Sequence, residues 1–358
     1  MRSLADTVEF AHGASMKNRF MLAPLTNQQS HSDGTLSDDE FHWLTMRAKG
    51  GFAMTMTCAA HVLASGQGFA GQLGCFSDVH LPGLSRLAEA LHASGSLATV
   101  QLHHAGRRSP VDLIGEAPVA PSADESTGAR ALSTGEVEAV IEAFVVAAER
   151  CQRAGFDGVE IHGAHDYLLC EFLNPDLNQR DDRFGGDAAG RSRIFFEIIE
   201  QIRQRCGTQF HLAVRLSPER FGMRTAEVIG LFSELVRTNE VDMIDLSLWD
   251  AFKDALDEQF EGQSLMGLFT NLERGRTQLG VAGKIYSAAD AMRVLDAGVD
   301  IVVVGRGAIT NHDFAARSLA DANFTKREFP VPRDVLRAEG LGDSFIEYMR
   351  AWKGFVAE

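Results

Sequence analysis

Short apolar runs recur along the chain, separated by stretches whose apolar residues repeat with helical spacing. The runs at 19–22, 52–57, 97–102, 158–161, 211–216, 243–247, 281–285 and 301–304 read as strands. The segments 38–49, 82–94, 134–154, 191–206, 226–237, 288–297 and 312–322 carry the helical spacing. Strands alternating with helices predict a parallel sheet. Eight repeats favour α/β architecture of the closed (β/α)8 TIM-barrel type over an open doubly wound sheet. No Gly-x-Gly-x-x-Gly follows an early strand, which removes the main support for a dinucleotide-binding open sheet.

The same pattern sets the organisation. No Pro/Gly/Ser-rich linker divides the 358 residues, so a single domain spanning 1–358 is expected, with the barrel at about 19–322 and a tail at 323–358. Residues 1–18 precede the first strand and are placed to plug the barrel bottom. Long loops after strands three and six, 107–133 and 248–270, have the length of functional lids. The second is acidic, read as a solvated face.

Composition narrows the function class. A net charge of −15 and a pI near 5.3 argue against a nucleic-acid partner or an acidic membrane surface. No apolar run reaches the roughly 20 residues of a membrane helix, and Met1 to Phe10 lacks the apolar core of a signal peptide. Five scattered cysteines without Cys-x-x-Cys exclude iron–sulfur spacing and fit free thiols in a cytoplasmic setting.

Candidate chemistry gathers at the C-terminal ends of the strands, where barrels bind ligands. In Gly158-Val159-Glu160-Ile161-His162 the apolar pair alternates with Glu160 and His162, which face inward by parity. The break at Gly163 then delivers His165 and Tyr167. Two imidazoles and a phenol can hold a developing oxyanion and supply a proton. His-x-x-His also suits a metal, but no third ligand stands at a sensible spacing.

Elsewhere, Gln101 and Arg215 point inward between apolar neighbours, and Arg215 needs either an anionic ligand or an acid such as Glu160. Gly283, Gly305 and Arg306 follow strands seven and eight, a common phosphate position. The set suits a flat, phosphorylated cofactor that offers hydrogen bonds, as FMN does.

These residues resemble the old yellow enzyme family of FMN-dependent ene-reductases. The resemblance spans about Asn18 to Asn311 and rests on ordered motifs. These are NRFMLAPLT (18–26), FSDVHLPG (76–83), VQLHHAGR (100–107) and GEAPVAPSA (115–123). Then come GFDGVEIHGAHDYLLCEFLNP (155–175), NQRDDRFGG (178–186), VRLSPERFG (214–222) and VVVGRG (302–307).

The resemblance implies that Pro24, Leu25, Thr26 and Ala59 line the flavin ring, and that Gln101 and Arg215 bind its pyrimidine. Gly283, Gly305 and Arg306 would hold the phosphate. His162 and His165 would bind the substrate carbonyl, with Tyr167 the proton donor. NAD(P)H would reduce FMN, which would pass hydride to the β-carbon of an activated alkene, a small-molecule substrate. Gln28 stands where many short bacterial members carry a substrate-lining Tyr. His-Asp-Tyr replaces the commoner His-Gly-Tyr, and Asp166 is expected to cap the next helix. Tyr348 to Trp352 resembles a tail that reaches a neighbouring subunit's site in some relatives, implying a homo-oligomer.

Three other readings stay open. One is a flavin dehydrogenase or isomerase on the same barrel, and another is a non-catalytic FMN-binding protein. The third is a flavin-free barrel lyase or aldolase using Lys284 as a Schiff-base amine.

Overall fold

In the computed structural model, which describes residues 2–357, the eight repeats close on themselves. The barrel strands are Phe20–Leu22, Met54–His61, Leu97–His103, Gly158–Gly163, His211–Leu216, Met243–Ser247, Gln278–Ala282 and Ile301–Val304. Every neighbouring pair is parallel, and Met21 pairs with Val303 to join the first strand to the eighth. The fold is a (β/α)8 TIM barrel, as the alternation predicts.

Parity divides the apolar residues into two cores. Val100, Leu102, Val159, Ile161, Val214 and Leu216 face outward and pack with helix residues such as Leu87, Phe144, Ile198 and Phe232. Met21, Met54, Met56, Met243 and Val303 face inward. Against this inner layer sit Val8, Phe10 and Met16 from the N-terminal segment, where Val8 and Met16 exchange backbone hydrogen bonds of 3.0 Å. Three buried side chains, each contributing roughly 1.5–3 kcal/mol, explain why this segment closes the barrel bottom as expected.

Two strands differ from the expectation, and both differences move site residues. The second strand runs on to His61 and its register shifts between Met56 and Ala59. A single extra residue in a strand flips the side chains beyond it. Met54 and Met56 therefore face in, Cys58 and Ala60 face out, and Ala59 faces in beside Gln101.

The seventh strand is Gln278–Ala282, three residues earlier than the apolar run 281–285 suggests. Its Gly280 pairs with Asp245 and Ile301 on the flanking strands, and a Cβ there would lie 3.2 Å from Val303 Cγ2 and 3.4 Å from Met243 Sδ. Gly283 and Lys284 consequently belong to the loop, with Lys284 in the left-handed region at φ 48°.

The loops and tail are more ordered than their patterning suggests. The loop after strand three holds a two-stranded pair, Val119–Ala120 with Arg130–Ala131. A short helix, Leu168–Leu173, follows strand four directly, and Leu265–Thr270 closes the loop after strand six. In the tail, helix Asp343–Arg350 buries Phe345, whose ring meets Trp43 edge-on at 4.9 Å. Gly342 N donates to Gln29 Oε1 at 2.7 Å, fastening the tail near the first strand's loop. Among the described residues no helix is long and apolar enough to cross a membrane. All five cysteines are buried free thiols.

Candidate active site

The C-terminal mouth of the barrel holds a cavity of about 320 Å³. Pro24, Leu25, Thr26, Ala59, Gln101, His162, His165, Tyr167, Arg215, Gly283, Gly305 and Arg306 all line it. Gln28 does not. Its backbone is left-handed, at φ 56°, and its carbonyl packs against Gly71 so tightly that a Cβ on that glycine would lie 2.5 Å from the oxygen. The substrate-lining place expected for Gln28 is thus not part of this cavity's wall.

Deep in the cavity, strand register sets a polar floor. His162, Arg215 and Asp245 form one cross-strand row on strands four, five and six, with Gln101 and Glu160 paired between strands three and four. Gln101 Nε2 donates to Glu160 Oε1 at 2.7 Å. Arg215 Nε lies 3.1 Å from Asp245 Oδ2, but off the alignment of a hydrogen bond. The acid nearest the Arg215 side chain in ion-pair range is therefore Asp245 rather than Glu160.

Glu160 Oε2 and both Asp245 oxygens are buried without a hydrogen-bond partner. Burial, and then the Asp245 charge, push the Glu160 pKa up to about 8, while Arg215 and Gln101 pull the other way. Asp245 is likewise raised by burial. Asp245 and Ser247 were legible from the sequence by the same inward parity as Arg215.

At the strand-four turn the groups are neutral. Ala164 N donates to His162 Nδ1 at 3.2 Å, so the His162 proton is on Nε2, which faces His165 Nδ1 at 3.3 Å. His165 Nδ1 then accepts, and its own Nε2–H reaches Ser247 Oγ at 2.7 Å. Burial drives the His165 pKa down to about 3, with help from Arg215 and Arg108. His162 is also held well below its ordinary value by burial and then by His165. Both rings thus present N–H donors without carrying charge.

Tyr167 stands beside them, its ring edge-on to His103 at 4.4 Å and to His162 at 5.4 Å. Its hydroxyl has no hydrogen-bond partner among the described residues, although the side chain lines the cavity. Burial raises its pKa.

Asp166 does not cap the helix that follows. The N-cap is Tyr167, without a side-chain bond, and the Asp166 carboxylate accepts from Arg107 Nη2 at 2.9 and 2.7 Å. Neither oxygen contacts an imidazole.

At the rim, Arg306 lies 5.8 Å from the Trp249 ring and 5.6 Å from the Tyr286 ring, with no carboxylate partner among the described residues. Gly283 has a packing reason to be glycine, since a Cβ would lie 2.7 Å from Ala251 N. Lys284 Nζ is 3.0 Å from Asp250 Oδ2, a charged pairing unsuited to a Schiff-base nucleophile. That contact also takes Asp250 out of the solvated face read for the acidic loop. No group of three metal-ligating side chains occurs among the described residues.

Tyr348, Met349 and Trp352 line the cavity of their own chain, and Trp352 stacks on Trp249 at 6.1 Å and 29°. The tail therefore lies over its own barrel. Arg220, Phe221 and Trp249, which also line the cavity, were not found from sequence, because loop residues have no parity that reveals their facing. Among the described residues, five of the eight non-glycine residues with left-handed backbone line this cavity: His165, Arg220, Phe221, Trp249 and Lys284. Strain concentrated at one mouth is characteristic of a functional site.

A parallel barrel with neutral donors on one side and a buried, partly unsatisfied charge cluster on the other defines a cofactor-dependent enzyme site. The chain belongs to the NADH:flavin oxidoreductase / NADH oxidase family, whose model matches residues 9–323, and its cofactor is FMN with NAD(P)H as electron donor.

It is 33% identical over 327 residues to the probable NADH-dependent flavin oxidoreductase YqiG of Bacillus subtilis, covering 88% of this chain and 87% of the relative. The NADPH dehydrogenase of Bacillus licheniformis is 31% identical over 326 residues, covering 90% and 95%. Among solved structures, the old yellow enzyme homologue of Zymomonas mobilis superposes with a TM-score of 0.82 at 26% identity, covering 96% of this chain and 99% of that one.

Proposed function

We propose that this flavin oxidoreductase is an ene-reductase acting on α,β-unsaturated carbonyl compounds or similarly activated alkenes. The observation that carries the reading is the neutral His162–His165 pair beside a Tyr167 hydroxyl without a protein partner, all in the cavity that holds Gln101 and Arg215.

The cavity's donor set fits FMN. Pro24, Leu25, Thr26 and Ala59 give it an apolar wall for a ring. With Nε2 committed to Glu160, the Gln101 carbonyl oxygen is left to accept from a pyrimidine N–H. Arg215 supplies positive charge where negative charge would develop on that ring. Gly283, Gly305 and Arg306 would take the phosphate, with Arg306 free to form a planar fork.

Bound FMN supplies a route by which reducing equivalents from NAD(P)H reach the β-carbon of the alkene. The protein's part is to bind, orient and protonate. His162 Nε2–H and His165 Nε2–H donate to the carbonyl oxygen, the first in exchange for His165 Nδ1 and the second in exchange for Ser247 Oγ. These bonds strengthen as negative charge grows on that oxygen. Tyr167 gives its hydroxyl proton to the α-carbon, and water restores it. Trp249, Trp352 and Tyr348 give the mouth an aromatic rim.

The test is anaerobic absorbance of the flavoprotein. NADPH or NADH should bleach the flavin, and cyclohexenone should restore the oxidised spectrum. Flavin that bleaches but does not recover with any enone would exclude the ene-reductase assignment.

A further inference from the structure

The His165–Tyr167 turn is an unusual element on which to build a donor site. His165 and Asp166 both adopt left-handed backbone, at φ 63° and 61°, and neither is glycine. Such conformations cost of order 1–3 kcal/mol each and persist only where surrounding contacts hold them. Ser217 Oγ accepts from His165 N at 3.2 Å, and the remaining holding contacts come from two consecutive arginines just after strand three.

Arg107 bridges Asp166 and Asp124, the latter at 2.8 Å. Arg108 donates from Nη1 to the His165 carbonyl at 2.8 Å, and its guanidinium lies 4.8 Å from the Tyr167 ring centroid. It does not line the cavity. Tyr167 is thereby packed between Arg108 and His103, whose own ring is fixed by Gln72 Nε2 donating to His103 Nδ1 at 3.0 Å.

We propose that Arg108 is a positioning residue for this site, holding the His165 backbone and the Tyr167 ring from outside the cavity while placing a positive charge beside the phenol. The proposal rests on the reading of Tyr167 as proton donor. A cation near the ring stabilises the phenolate that remains when the proton has left, so its effect is larger after transfer than before. The groups facing Tyr167 from every side are few. His103 on strand three and His162 on strand four are held neutral by burial, whereas Asp166 beside it and Tyr348 on the tail helix disfavour the phenolate. Arg108 opposes them.

The experiment compares wild type, Arg108→Ala, Arg108→Lys and Tyr167→Phe as holoenzymes. The chain has three tyrosines, so NMR of tyrosine-labelled protein follows each phenol's titration, and Tyr167→Phe assigns the signal. Arg108→Ala should move the Tyr167 titration to higher pH and lower kcat for an enone roughly tenfold, with flavin reduction by NADPH unchanged. Arg108→Lys should keep the titration near that of wild type but recover only part of kcat, since an ammonium lacks the planar stack. An unmoved Tyr167 titration in Arg108→Ala, or an unchanged enone kcat, would overturn the proposal. Wild-type turnover by Tyr167→Phe would instead remove the proton-donor reading, and the titration would still report whether Arg108 acts on the phenol.

Discussion

The floor and the strand-four turn of the cavity treat charge in opposite ways. On the floor, Glu160, Arg215 and Asp245 are buried together with only one of the four carboxylate oxygens hydrogen-bonded, the Glu160 oxygen that meets Gln101. At the turn, His162, His165 and Tyr167 are neutral, and each imidazole's orientation is set by a backbone or hydroxyl partner. Buried charge lacking full satisfaction is costly, so the floor is an arrangement that a bound polar ring would complete. The turn carries its cost in the backbone and keeps its donors ready for a transient charge. One region suits a permanent occupant, the other a passing one.

The largest expected effect breaks the floor. Arg215→Met leaves two buried carboxylates without their cation and should cost about 3 kcal/mol of stability. Gel filtration should strip the flavin from the variant. A flavin-replete, equally stable variant would remove Arg215 from the cofactor's binding set.

Next, His162→Ala removes one oxyanion donor from the turn and should lower kcat/KM for an enone by roughly 10²–10³ while flavin content stays at wild-type level. Stopped-flow separation of the two half-reactions should place the loss in alkene reduction. A loss confined to flavin reduction would move His162 to the donor's side of the chemistry.

Smaller still is Asp166→Gly, which suits a φ of 61° but releases Arg107. It should reduce enone kcat/KM by roughly tenfold or less. Unchanged kinetics would leave Arg108 and the Ser217 hydroxyl as the contacts that hold the turn.

The smallest effect is a pH slope. The folded Glu160 pKa of about 8 exceeds its ordinary 4.5, so the contribution of its proton to stability is complete below about 4.5 and is lost as pH rises towards 8. Glu160→Gln should flatten that part of the apoprotein's Tm-against-pH curve. A slope that persists would assign it to Asp245, which burial raises as well.

Much of this molecule is written locally. Strand–helix alternation names a barrel because each repeat must bury one apolar face, and eight of them close. Alternation within a strand is equally local, which is why Gln101, Glu160, His162 and Arg215 could be assigned inward from their neighbours alone. The same rule reaches Asp245 and Ser247.

Tertiary structure decided the rest. The register shift in strand two turned Ala59 inward, and pairing with strands six and eight sets strand seven at 278–282, three residues earlier than its apolar run. Neither is encoded by periodicity, because both depend on the neighbouring strand. Asp166 found Arg107 from 59 residues away instead of capping its own helix, and the Gln28 carbonyl meets Gly71. The tail that covers the mouth, with Trp352 against Trp249, is likewise a long-range contact. Period and parity act over a few residues, whereas partner choice at a loop depends on which distant segment the closed barrel brings beside it.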